Sequence, residues 1–126
     1  MSSSVFNQWI RLQANIDRII DNAVEPFHPD TIGNVRDLID LLWGRFAVPE
    51  VAEGDWKTIC LDWRTTGDGP LRIEVFSDRM EVYHLEPAFD VWCELHQPGQ
   101  FFSARFITTV PSPIAIYADI PLSDVR

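Results

Sequence analysis

The chain has 126 residues, 19 acidic against 10 basic, for a formal charge of −9. That charge repels phosphate backbones, and the basic residues (nine arginines and the single Lys57) are scattered rather than clustered, which argues against nucleic-acid binding. Hydrophobic residues at 46%, with five Trp and eight Phe, supply the core of one domain spanning 1–126, and no apolar run approaches the roughly 20 residues that cross a bilayer.

The first residues, Met-Ser-Ser-Ser-Val-Phe-Asn-Gln-Trp, lack the basic and apolar regions of a secretory signal. Cys60 and Cys93 belong to no Cys-x-x-Cys or Cys/His cluster. The expectation is a cytoplasmic protein with two ordinary, buried thiols and no disulfide framework.

Over residues 5–24, Val5, Phe6, Trp9, Ile10, Leu12, Ile16, Ile19, Ile20 and Ala23 recur every three or four positions, which predicts an amphipathic helix. Ser2, Ser3 and Ser4 offer capping hydroxyls, and Pro26 and Pro29 stop the helix. Asp30 or Thr31 is the expected cap of a second helix over 31–46, with the stripe Ile32, Val35, Leu38, Ile39, Leu42, Trp43 and Phe46. Asn34, Arg36, Asp37 and Asp40 fall on its polar side, and Gly44 and Pro49 end it. Residues 47–56 read as a joint between the helical and sheet halves.

From Lys57 the period changes to two. Ile59, Leu61 and Trp63 alternate with Cys60, Asp62 and Arg64, predicting a half-buried strand over 57–64. A turn at 65–69 leads to a strand over 71–77, and a second turn at Ser77-Asp78 to one over 80–85. Opposing Leu61 with Ile73 also opposes Trp63 with Leu71, Ile59 with Val75, and Asp62 with Arg72, an attractive cross-strand pair. Residues 88–96 alternate as a further strand, although Phe89, Trp92 and Leu95 also have helical spacing. Gln97-Pro98-Gly99-Gln100 suits a type II turn, and the aromatic and β-branched run 101–110 reads as a strand. Residues 114–119 read as an edge strand or, capped at Ser112-Pro113, a short helix. The predicted fold is α+β, two N-terminal amphipathic helices packed on one face of a five- or six-stranded antiparallel sheet.

No residue pattern demands a cofactor, a metal or catalysis. His28, His84 and His96 lie in different elements, with His84, His96 and Cys93 the only constellation the sheet could assemble. The carboxylates of Asp62, Glu74 and Glu81 share their face with Arg64 and Arg72, so ion pairing accounts for them. That second face carries Asp62, Arg64, Arg72, Glu74, Phe76, Glu81 and Tyr83. Charges of both signs with aromatics among them make it the candidate interaction face.

Val48-Pro-Glu-Val51, Ile59-Cys-Leu-Asp-Trp63 and Leu71-Arg-Ile-Glu-Val75, about a third of the chain, resemble a pattern in small uncharacterised bacterial proteins: Pro-x-Val, a strand ending in Trp, then Ile-Glu-Val. The resemblance implies packing and no activity. The expected role, from the mixed-charge face and the acidic charge, is a non-enzymatic protein-protein interaction module, an acidic inhibitor, antitoxin-like or regulatory protein of bacterial or phage origin. Its partner is another protein, a basic one by charge, or a second copy paired through C-terminal aromatics (Phe101, Phe102, Phe106, Tyr117). The alternative is a ligand-binding or enzymatic cone with a pocket between helices and sheet, which resembles nuclear-transport-factor-like folds in topology alone.

Overall fold

The computed structural model describes residues 2–64, 69–85 and 89–112. Helix α1 spans Ser3–Asp21, and the Ser2 hydroxyl caps it by accepting from the Val5 amide at 3.2 Å. Helix α2 spans Pro29–Leu42. Its cap is neither Asp30 nor Thr31 but His28, whose Nδ1 accepts from the Asp30 amide at 3.0 Å. Pro29 then takes the first helical position, where its missing amide costs nothing.

Five strands follow as an antiparallel meander in the order β1-β2-β3-β4-β5: β1 (Glu50–Glu53), β2 (Ile59–Trp63), β3 (Leu71–Val75), β4 (Arg79–His84) and β5 (Asp90–Leu95). The predicted β2–β3 register holds at every pair, Asp62 beside Arg72 included. Strand β1 lies inside the segment read as a joint. With Val51 as its one partly buried side chain and glutamates at both ends, it shows almost no period-two signal.

Residues 101–110 are not a strand. Ser103 caps a short helix, α3 (Ala104–Thr109), accepting from the Phe106 amide at 3.1 Å. The predicted Pro98-Gly99 turn does form, with Gly99 at φ 89° and the Gln100 amide donating to the Gln97 carbonyl. After that turn Phe102 and Phe106 stack at 4.7 Å. Their four-residue spacing, continued by buried Val110, is satisfied by a helix, and this ring contact outweighs their strand propensity. Residues 114–119 lie outside the described residues.

The core takes Trp9, Leu12 and Ile16 from α1, Val35, Leu38 and Leu42 from α2, and the inward row Ile59, Leu61, Trp63, Leu71, Ile73, Val75, Met80 and Val82 from the sheet. Burying each such side chain contributes about 1.5–3 kcal/mol. Phe106 closes the core below Trp92. Asn34, assigned by its polarity to the solvent side of α2, is wholly buried. Its amide donates to the carbonyls of Phe76 (3.0 Å) and His96 (3.1 Å), tying α2 to the β3–β4 turn and to the end of β5. Beside it in the chain, Gly33 meets Pro98 so closely that an added Cβ would lie 2.8 Å from the ring Cγ.

Candidate interaction face

Period two sends one side chain in two away from the core, so the outer face is built from Glu50 and Ala52, Cys60 and Asp62, Arg72 and Glu74, Arg79, Glu81 and Tyr83, and Val91, Cys93 and Leu95. The predicted residues fall into three groups on it.

At one end, Arg72 grips Asp62 through Nε (2.6 Å) and a terminal nitrogen (3.2 Å). The hydrogen bond from Arg72 to Asp62 raises the arginine's pKa above its already high ordinary value. Arg64 is drawn away to Glu50 on β1 at 2.9 Å, a partner hidden from sequence reasoning because β1 was not foreseen. The Arg64–Glu50 pair is exposed and contributes little to stability, whereas Asp62 in the other pair is partly buried.

At the centre, Glu74 and Glu81 face each other directly across β3 and β4. Glu74 is buried and accepts from the Thr58 hydroxyl; the Tyr83 phenol lies 3.2 Å from its other oxygen. The same phenol hydrogen-bonds Glu81. With one proton it donates to one carboxylate at a time. Burial, and then the Glu81 carboxylate it bonds, push the phenol's pKa well above its ordinary value. Beneath them burial and the Glu74 charge push the Cys60 thiol up to about 11. Gly54 crosses so near that a Cβ there would lie 2.8 Å from the Glu74 carboxylate and 3.1 Å from the Cys60 sulfur. Only glycine fits that crossing.

At the turn, Arg79 binds Glu81 through Nε (3.2 Å) and Asp78 at 2.7 Å, and its guanidinium lies 3.9 Å over the Phe76 ring. Thr58, Arg79 and Glu50 are thus part of the face and were missed. For Arg79 the signal was available, since it stands two residues from Glu81 on the same side of its strand.

Beyond the charges, Val91 and Leu95 continue the face as an exposed apolar row with Cys93 between them, and Phe89 leans toward Tyr83 at 6.3 Å. Cys93 is exposed, against the expectation of a buried thiol; its side chain points to the solvent side of an edge strand. The histidines do not meet. His84 pairs with Asp90 at one end of the β4–β5 ladder, and His96 lies beyond the other. His96 is buried, 2.9 Å from Asp37 and stacked on Phe102 at 4.2 Å. His84 stands instead at a recess of about 310 Å³ beside Leu71 and Ile107, away from Asp62, Tyr83 and Trp92. The space between helices and sheet is filled by Trp9, Trp63 and their neighbours.

The fold and this face define an α+β protein with two N-terminal helices, a five-stranded antiparallel meander and a mixed-charge outer surface. No helix among the described residues is long and apolar enough to cross a membrane. Comparison with protein-family models, with curated proteins and with solved structures gives no match for this chain.

Proposed function

We propose that the outer sheet face docks another protein, basic at the point of contact, and that the chain works as a non-enzymatic interaction module. The opposed carboxylates of Glu74 and Glu81 carry this reading. Like charges directly across a ladder are unfavourable, and here they share one phenolic proton. Arg79 already offsets part of that repulsion at Glu81, and a lysine or arginine from a partner, approaching at the more exposed Glu81, relieves the rest. The adjoining apolar row of Phe89, Val91 and Leu95 supplies the desolvated contact that a charge pair alone lacks. An inhibitor, antitoxin-like or regulatory protein of bacterial or phage origin suits the charge of −9. Two free thiols, one of them exposed, fit a reducing cytoplasm.

The test is affinity capture from the source organism with the wild-type chain and with Glu81→Lys. A protein retained by the wild type, released by salt and lost from the variant supports the docking face. Identical retention by both proteins refutes it.

A further inference from the structure

The sheet has two edges, and among the described residues only one is covered. Strand β1 is four residues long, ends in Glu50 and Glu53, and lies against α1. Such short, charged, covered edges resist pairing. Strand β5 is six residues long; it carries Asp90 at its start and Glu94, which the Ser103 amide holds, but neither lysine nor proline, and no described helix is paired along its edge. Its outer side chains Val91, Cys93 and Leu95 are exposed, Leu95 to 77%.

The backbone phase of that edge is set by the ladder. The His96 amide donates to the Asp78 carbonyl, so residues 90, 92 and 94 turn their amides and carbonyls toward β4. Those of Val91, Cys93 and Leu95 therefore point away from the sheet, and among the described residues no backbone hydrogen bond receives them.

We infer that β5 pairs with β5 of a second copy, antiparallel about a two-fold axis at Cys93, joining two sheets into one of ten strands. In that register Val91 faces the partner's Leu95, Cys93 faces the partner's Cys93, and Leu95 faces the partner's Val91. The outward backbone groups of all three residues meet as closely spaced pairs, about six hydrogen bonds in all. A register one residue away sets outward side chains against inward ones. Charge agrees on the inner side: Glu94 comes opposite the partner's Trp92, and the Trp92 ring carries the Arg105 guanidinium at 3.9 Å. Glu94 is already oriented by the Ser103 amide at 2.8 Å. The six residues offer roughly 20 Å of edge. One strand edge of six residues with a short apolar row is a small contact, so the dimer is weak, with a Kd on the order of micromolar or above. The inference concerns the strand edge and stands whether or not the outer face docks a second protein.

Sedimentation of the full chain, from about 10 μM to 1 mM and at low and high salt, tests it. The expected result is a monomer–dimer equilibrium that strengthens with salt, because each copy carries −9 and screening removes their repulsion. Docking of a basic partner has the opposite salt dependence, so the two proposals fail separately. Leu95→Lys alters a side chain already in solvent, and it weakens association at least ~10-fold; Glu81→Lys leaves association in place. Mild oxidation links the copies through Cys93, and Cys93→Ser abolishes the link while buried Cys60 does not replace it. A monomer at every concentration and salt overturns the inference. So does an association indifferent to Leu95→Lys, or a monomer whose Cys93 resists alkylation, which would mean that this chain closes its own edge.

Discussion

Replacing Asn34 tests whether α2 is held to the sheet by a buried donor or by apolar packing alone. Its side-chain amide donates to the carbonyls of Phe76 and His96 from a fully buried position. Asn34→Ala removes both hydrogen bonds, each contributing about 0.5–1.5 kcal/mol net, and leaves the two carbonyls short of a donor at a further cost of order 1 kcal/mol or more. The expected destabilisation is about 2–4 kcal/mol. In a domain of this size that lowers Tm by roughly 10 °C and reduces the urea midpoint with little change in m-value. Asn34→Asp sharpens the test, because it keeps the volume but turns the donor into an acceptor facing two carbonyls. The new carboxyl, buried among acceptors, has its folded pKa raised above the usual value of about 3.9. The folded state then binds its proton more tightly than the unfolded state, so Asn34→Asp regains stability as pH falls through that raised pKa. At pH 7 it is at least as damaging as Asn34→Ala, and at pH 4 less so. An Asn34→Asp protein as stable as wild type at pH 7 would refute the argument, since no donor would then be needed.

Other expectations come from the same contacts. Alanine at Gly33 should raise helix propensity by about 1 kcal/mol. Pressed against Pro98, it instead destabilises by about 1–2 kcal/mol in urea melts, and Gly33→Ala with Pro98→Ala restores stability. Ser103→Ala removes the cap of α3 and its side-chain bond to Glu94, at a cost of about 1–2 kcal/mol read from thermal unfolding. Cys60 keeps its proton in the folded state up to about pH 11, while the unfolded thiol loses it from about pH 8.5. Stability is therefore full below that lower value and declines toward pH 11, and Cys60→Ala reduces the alkaline loss. The phenol of Tyr83, also raised, acts in the same direction at higher pH. A thiol reagent added to the native protein at pH 8 titrates Cys93 alone, with Cys60 reacting only on unfolding.

The elements most legible in the chain are those whose period has one physical solution. Ile59, Leu61 and Trp63 admit one buried face, and opposing Asp62 with Arg72 chose the register that forms. The helical stripe of α1 was legible in part: Trp9, Leu12 and Ile16 are buried, whereas Phe6 and Ile10 at its border are exposed. Three other features belong to contacts made far along the chain. Asn34 shares the buried side of α2 with Thr31, Val35 and Leu38, but nothing near it in sequence announces the two carbonyls waiting there. Strand β1 has little apolar content of its own and exists because β2 offers it a ladder and α1 covers it. The run after Gly99 has strand-forming residues, yet it coils because His96, Phe102 and Phe106 stack in sequence.

The candidate face divides the same way. Alternation alone assigned Asp62, Arg72, Glu74, Glu81 and Tyr83 to one surface, because a pleated strand leaves no choice of side. That Glu74 and Glu81 share a single phenol, that Gly54 presses on both Glu74 and Cys60, and that Arg64 turns to Glu50 were decided by the tertiary structure. Side is a property of one strand and its period, whereas partnership depends on which strands lie next to one another, and only the folded chain sets that.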